Sequence, residues 1–528
     1  MAWLHTWGGL WFCWLLYAIF LTGTLAVMEE PITHWMTPEH HAEEARQAAV
    51  AKTAPPADRP RSLAHAVAYL QHEQPPGEMW EIWPGSARHG NDLTVYWMEK
   101  GAYIARHLDP LSGKVIADPH DDHDAGRATL GGHHFVDFHY TLHAGTIGLW
   151  IVGAATLAML VTLVSGVITH KRIFRDFFTF RASKGQRSWL DGHTAAGVLS
   201  LPFQFMIALT GIFFYGNMYM PAATWAEPAM GGARVEASSA SLLAIPDLEP
   251  FARRGETLMK QDLRAIVIDK PGQPDMRIST YGWNDDEERQ ERLVGTTAMV
   301  SFSADGKVLE TRPAGKMAGG SATYAIATLA ALHMAEFGGF TVKWLYFIGG
   351  LAGTAMMGTG AILFMVKRRG RAANEFGRAT PQVYRLIEAL NIAAIAGLAV
   401  ASIAYLWANR LIATDIAHRE DWEVGVFFVV WLMAFSHALI RSPGPAWREQ
   451  WTFFAFLCLA LPLVNLLTVG DMLPMEVVRG DWESAGLELV ALVCGAASWW
   501  ALHRLKRRTT ASMRAPSVRD VAPVAGGE

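Results

Sequence analysis

Eight stretches of this chain are apolar for about 20 residues each, roughly 7–28, 145–169, 194–216, 341–366, 385–407, 422–440, 451–470 and 484–502. A helix rises 1.5 Å per residue, so about 20 apolar residues cover the roughly 30 Å hydrocarbon core of a bilayer. Inside lipid the backbone must satisfy its own hydrogen bonds, and continuous apolar runs of this length do so as helices. The chain therefore reads as a polytopic α-helical membrane protein with the lipid bilayer as its solvent. A hydrophobic share of 51% over 528 residues agrees with this. The first run is expected to remain as a span. It has no basic n-region and no small-x-small cleavage site before Glu29-Glu30.

Basic residues set the expected orientation. Lys171, Arg172, Arg175, Arg181, Lys184 and Arg187 lie between the second and third runs, Lys367, Arg368, Arg369 and Arg371 follow the fourth, and Arg504, Lys506, Arg507 and Arg508 follow the eighth. The positive-inside rule puts all of these, and both termini, in the cytoplasm. Residues 29–142 and 217–332 are then outside. Cys13, Cys458 and Cys494 fall within the runs and form no C-x-x-C pair, which argues against disulfides, zinc ribbons and covalent haem. There is no G-x-G-x-x-G after a strand and no Walker loop, so no nucleotide site is expected. No nucleic-acid partner is expected either, and any electrons handled here come from another molecule.

The chain is internally duplicated. His5 opens a run that closes on Thr22-Gly23, and His193 opens one that closes on Thr210-Gly211 at the same separation. His139 to Gly166 likewise equals His333 to Gly360 in length. Each outer segment carries a strand, a Gly-Lys turn and a strand (93–97 and 108–116; 298–309), preceded by a helix near 63–71 or 248–260. Residues 1–370 thus read as span, outer α+β domain, span, repeated once. A histidine at a span entrance is costly without a partner. Two imidazoles in one layer of a helix bundle are a means of holding haem iron.

Several motifs occur in order: Leu4-His5-x-Trp7-x-Gly9-Leu10 with Thr22-Gly23; Phe138-His139-Tyr140-x-Leu142-His143; Ser165-Gly166-x-x-x-His170-Lys171; Leu190-Asp191-x-His193 with Leu201-Pro202-Phe203 and Leu209-Thr210-Gly211; and Leu332-His333 with Phe337-Gly338-Gly339. In these the chain resembles the PepSY-associated transmembrane-helix family, which includes iron-regulated inner-membrane proteins and ferric-siderophore reductases of Gram-negative bacteria. The resemblance covers about 1–370. It implies a bacterial inner-membrane location, two periplasmic PepSY-like domains, a four-helix core, and b-type haems, two in number, with bis-histidine ligation.

On that reading the organisation is a first span (1–28), a first PepSY-like domain (29–142), the second and third spans with a basic loop (143–216), a second PepSY-like domain (217–332), the fourth span (333–370), a four-span extension (371–508) and a disordered tail (509–528). The histidines sort into two layers. His143 with His333 is the favoured outer pair, with His139 as the alternative to His143. His143 is taken to lie deeper in the helix, beside Gly145 and Gly148. From His143 to His170 is about 40 Å of helix at 1.5 Å per residue, enough for one helix to serve both layers. In the inner layer His5, His170 and His193 compete for two places. Symmetry favours His5 with His193, and the resemblance gives His170 equal standing. His120 and His123, within an acidic tract, form a weaker candidate for contact with a metal or a ferric substrate. His437, read as mid-span, is expected to hydrogen-bond across helices.

The leading expectation is a transmembrane electron conduit and ferric reductase. A donor in the cytoplasm or the membrane would supply electrons, and a ferric siderophore or other ferric complex would receive them outside. A haem-free PepSY regulator of a periplasmic partner is the alternative. A permease is a third reading, ranked last because few polar groups beyond His437 and Asn391 interrupt the last four runs.

Overall fold

Each apolar run becomes a helix. The computed structural model describes residues 1–39, 41, 58–73, 79–85, 93–99, 102–116, 127–169, 174, 177, 186–219, 244–283, 297–315, 320–335, 337–368 and 375–514. Eight helices among these are long and apolar enough to cross a membrane: Trp3–Ala26, Gly145–Thr169, Gln186–Phe214, Gly339–Arg368, Gly377–Leu411, Arg419–Ile440, Pro443–Val469 and Trp482–Arg507. They coincide with the eight apolar runs.

In chain order the elements begin with α1 (Ala2–Ala26), α2 (Glu29–Met36), α3 (Arg59–Glu73), β1 (Met79–Trp83), β2 (Leu93–Glu99), β3 (Ala102–Leu108), β4 (Val115–Ile116), α4 (His133–Thr141), α5 (Gly145–Thr169) and α6 (Gln186–Phe214). The second repeat supplies α7 (Glu249–Met259), β5 (Leu263–Asp269), β6 (Arg277–Gly282), β7 (Met299–Ser303), β8 (Val308–Arg312), α8 (Gly320–Met334) and α9 (Gly339–Arg368). The remaining helices are α10 (Thr380–Ile392), α11 (Leu398–Leu411), α12 (Arg419–Ile440), α13 (Pro443–Val469), α14 (Leu473–Arg479) and α15 (Trp482–Arg514). A π-helical turn, Ala393–Gly397, joins α10 to α11. Helix α15 extends into the segment expected to be a disordered tail, and residues 515–528 lie outside the described set.

The chain divides into two units, Met1–Pro38 with Arg127–Gln204 and Gly349–Glu528, and Glu39–Gly126 with Phe205–Ile348. In the first, α1 packs on α4 and α5, while α11 packs on α12 and α13. Small residues bring helices together: a Cβ at Gly353 would lie 2.7 Å from Phe20, and one at Gly349 would lie 3.0 Å from Phe203. These glycines of α9 therefore serve helix packing. Helix α4 ends on Leu142 in the left-handed region (φ 55°), followed by His143 (φ 53°) and Gly145 (φ 54°), before α5 begins. His143 thus sits in a break between helices and not deeper in a helix as expected. The hydropathy that marks the span starts only at Gly145, because α4 is a short helix of mixed polarity (HHFVDFHYT).

In the second unit the two outer segments share one antiparallel sheet, ordered β4-β3-β2-β1-β5-β6-β7-β8. The expected separate domains meet at β1 and β5, with Trp80 opposite Ile268 and Ile82 opposite Ile266. Helices α3 and α7 contribute Leu63, Ala66, Leu70, Phe251 and Ala252 to a core with Ile82, Ile266 and Phe302 from the sheet. Arg59 of α3 clasps α7 through Glu249 (2.9 and 3.0 Å) and Glu256 (2.5 Å). The two Gly-Lys turns are present, with Gly113 and Gly306 left-handed (φ 69° and 84°). Helix α8 ends in the same kind of break as α4, at Ala335 (φ 55°), ahead of Gly338 and Gly339.

Candidate functional site

The repeated histidines and the repeated glycines are two halves of one contact. His5 places Nδ1 3.1 Å from the Thr162 carbonyl oxygen, one turn before Gly166, and a Cβ on Gly166 would lie 3.0 Å from the His5 ring. His139 places Nδ1 2.8 Å from Ile19 O, one turn before Gly23, where a Cβ would lie 2.6 Å from its ring. His193 does the same with Met356 O (2.9 Å) and Gly360 (3.1 Å). Within the second unit, His333 Nδ1 is 3.1 Å from Thr210 Oγ1, and its ring lies 2.9 Å from a Cβ on Gly211. The Thr210 hydroxyl donates to Met206 O (2.9 Å), so it accepts from His333. In all four cases the acceptor fixes the proton on Nδ1. The lone pair is then on Nε2, and a carbonyl behind the ring is the usual support of a metal-binding imidazole.

Two of these imidazoles meet. The ring centres of His5 and His193 are 6.5 Å apart, with planes inclined by 55°. Imidazoles on opposite sides of one metal ion, with bonds of about 2 Å, put their ring centres about 6 Å apart. The two line a cavity of about 320 Å³. Its walls include Gly9 and Gly197, each four residues after its histidine, and Leu10, Leu201 and Met357, with Lys367 and Arg368 also in the lining and Arg368 Nε donating to Glu375 at 3.2 Å. A Cβ on Gly9 would meet nothing within 4 Å, so the glycine opens space beside the ring. A mostly apolar cavity lined by two neighbouring imidazoles and two cations suits a flat macrocycle with anionic side groups. The residues present therefore fit haem b. The Arg368 guanidinium also lies 3.8 Å from the Phe364 ring centre and 5.0 Å from that of Trp7.

The other candidates are placed differently. His143 turns Nε2 toward His134, 3.0 Å from its Nδ1 and 3.2 Å from its carbonyl oxygen, and the two rings stack at 4.9 Å. Burial pushes the His134 imidazole down to about 3, helped by His143 beside it. Burial also lowers His143, and it holds His139 below the usual range against the bond to Ile19 O. Neutral imidazole is the form that binds metal. His170, His120 and His123 lie outside the described residues. His437 is in the last turn of α12, not mid-span, and bonds Glu449 of α13 at 2.9 Å. Asn391 accepts from Trp14 Nε1 (2.7 Å) and donates to Ala361 O (3.2 Å), tying the fifth span to the first and fourth.

The last four spans hold more polar groups than their hydropathy suggests. Arg419 and Glu423, both 0% exposed, form an ion pair. Asn409 Nδ2 donates to Glu423 at 2.8 Å. Arg410 Nε donates to Asn465 (2.8 Å), whose amide donates to Glu488 (2.9 Å). Asn409, Arg410 and Arg419 lie just outside the apolar runs, and Glu423, Asn465 and Glu488 lie within a few residues of the ends of theirs, where a span reading passes over them. The spacing of Arg419 and Glu423 by four residues was the available signal.

A family described as PepSY-associated TM region matches residues 2–367. A protein of Pseudomonas aeruginosa that carries the name of an uncharacterized protein is 25% identical over 383 residues, covering 68% of this chain and 91% of its own length. The four histidine–glycine contacts fall inside the matched region, and the last four spans fall beyond it.

Proposed function

This chain belongs to the PepSY-associated TM region family, and we propose that it carries single electrons across the inner membrane to a ferric complex, such as a ferric siderophore, on the periplasmic side. The observation that carries this reading is the pair His5 and His193, each backed by a carbonyl, with ring centres 6.5 Å apart on the wall of one cavity. By the sequence repeat His139 and His333 correspond to one another, as His5 does to His193, which makes His139 the candidate ligand of the first repeat's outer layer. His139 takes precedence over His143 because its Nδ1 contact matches the other three, whereas His143 directs Nε2 to His134.

Haem b, when bound, would supply a one-electron iron couple, and His5 with His193 would be the residues to hold it in the inner layer. The residues do the rest. Thr162, Ile19, Met356 and Thr210 hold the proton at Nδ1 and fix each ring. Glycines 166, 23, 360 and 211 admit the rings between helices. The inner cavity is lined mainly by apolar side chains, and Lys367 and Arg368 in its lining would offer cations to carboxylates. The donor binds on the cytoplasmic side or within the membrane. Reduction of Fe(III) to Fe(II) weakens hard-oxygen chelation and releases the metal.

A reduced-minus-oxidised visible spectrum of the purified full-length protein, with haem quantified per chain, tests this. Two haems per chain and a sharp split α-band are expected. A colourless protein from haem-replete cells overturns the reading and favours a PepSY-type regulator of a periplasmic partner.

A further inference from the structure

Two of the four spans beyond the matched region, those of α11 and α12, hold the helix that carries His139 and the segment leading into it. Five successive hydrogen bonds hold the segment leading into α4. Arg127 Nη1 donates to Asn409 O at 2.7 Å. Arg419 Nη1 donates to Ala128 O at 3.0 Å. Thr129 donates to Glu423. The Tyr405 hydroxyl donates to Gly131 O at 2.9 Å, and Gly132 N donates to Thr33 Oγ1 at 2.9 Å. Four of the five come from α11 and α12.

The same two helices grip α4 itself. The buried His134 ring lies 4.4 Å from Tyr405 and 4.6 Å from Phe427, and Phe138 packs on Phe427, Phe428 and Trp431. Another side of α4 presents His139 to Ile19 and Gly23 of α1. Helix α4 is therefore held between α1 and the α11–α12 pair, with little slack on the His139 ring. A buried ion pair such as Arg419–Glu423 adds little stability over apolar packing, but its directional bonds fix register. Arg419 also reaches the Asn409 and Ile412 carbonyls, so one guanidinium ties α11, α12 and the α4 lead-in together.

We propose that the fifth and sixth spans, through α11 and α12, act as a clamp that sets the orientation of His139, with Arg419, Glu423 and Tyr405 as positioning residues for the outer ligand. The inference rests on the haem reading above.

The test uses the full-length protein purified with its haem, read by low-temperature EPR of the oxidised form and by redox titration. The signal removed by His193→Ala identifies the inner centre, and that removed by His139→Ala identifies the outer. Tyr405→Phe deletes one oxygen and keeps the ring, and Arg419→Lys keeps the charge but not the planar fork. Glu449→Gln, in the same four-span extension on the His437–Arg441 side, is the control. Both positioning variants are expected to displace the g-values and midpoint of the outer centre alone, with two haems retained, and the control should move neither. If Arg419→Lys does not fold, Tyr405→Phe decides. The clamp is overturned if Tyr405→Phe leaves the outer signal in place or moves both centres alike. A wild-type protein without any haem signal overturns the haem reading itself, a result recognisable because no centre exists to shift.

Discussion

An imidazole between apolar helices persists where its polar atoms are used, and here a glycine on the neighbouring helix makes the room. That gives the glycines a consequence specific to the ring. At Gly23 a Cβ would lie 2.6 Å from His139, so Gly23→Ala must displace the ring from Ile19 O. Alanine is the better helix former by about 1 kcal/mol, so the backbone gains while the ligand is lost. Gly23→Ala should therefore fold normally yet lose the outer component of the difference spectrum, about half the haem per chain; unchanged haem content would refute the contact as a ligand support. His134 yields a pH effect. Its folded pKa is pushed down to about 3 from 6.5 by burial, so between those values the unfolded chain binds the extra proton. Its stabilising contribution is complete above pH 6.5 and declines as pH falls toward 3, by up to about 1.4 kcal/mol per pH unit. The downward shift of His143 acts in the same sense. Thermal unfolding followed from pH 7.5 to 5 should show this slope, and His134→Phe should flatten it; an equal slope in the variant would assign the acid sensitivity elsewhere.

Among the elements, the spans were legible because hydropathy is a sum over some 20 residues and tolerates local exceptions. The breaks before α5 and α9 were not, because a left-handed pair such as Leu142 and His143 leaves no trace in hydropathy. That single turn decides whether His143 or His139 faces α1. The Gly-Lys hairpin turns were legible from their own residues. Strand β1 was hidden because Met79, Trp80, Ile82 and Trp83 blur its alternation, and β5 because its run is almost continuously apolar. Since these two strands join the repeats, the shared sheet was invisible as well. The clasp between α3 and α7 can be tested directly. Burial alone would raise the Glu249 carboxyl, but the bonds from Arg59 and Arg253 overcome it and hold it below the usual range. Arg59→Met strands Glu249, 9% exposed, without its principal partner. A loss of about 1–3 kcal/mol is expected for the charged hydrogen bonds removed, with Arg253 still serving one Glu249 oxygen. It should appear as faster amide exchange in β1 and β5, and protection equal to wild type would show that the sheet holds without the clasp.

For the whole molecule, the duplication explains why the histidines come in matched pairs, but direction requires an asymmetry the repeat does not contain. The basic residues after the second, fourth and eighth spans supply it as an expectation, since the positive-inside rule would place the His5–His193 layer toward the cytoplasm. A conduit with that orientation has to work from one side. In proteoliposomes carrying a membrane-impermeant reductant inside and a ferric chelate with a ferrous-trapping dye outside, vesicles with the basic loops facing the lumen should reduce the external iron. His193→Ala removes one of the two imidazoles that line the inner cavity. Its rate should fall at least tenfold, toward that of protein-free vesicles, while Glu449→Gln stays near wild type. If His193→Ala reduced external iron as fast as wild type, electrons would be bypassing the inner pair, and transfer through this cavity would be wrong even if the protein binds haem. If the rate instead required reductant on the outside, the inner pair would stand off the path, because the donor would be meeting the outer layer directly.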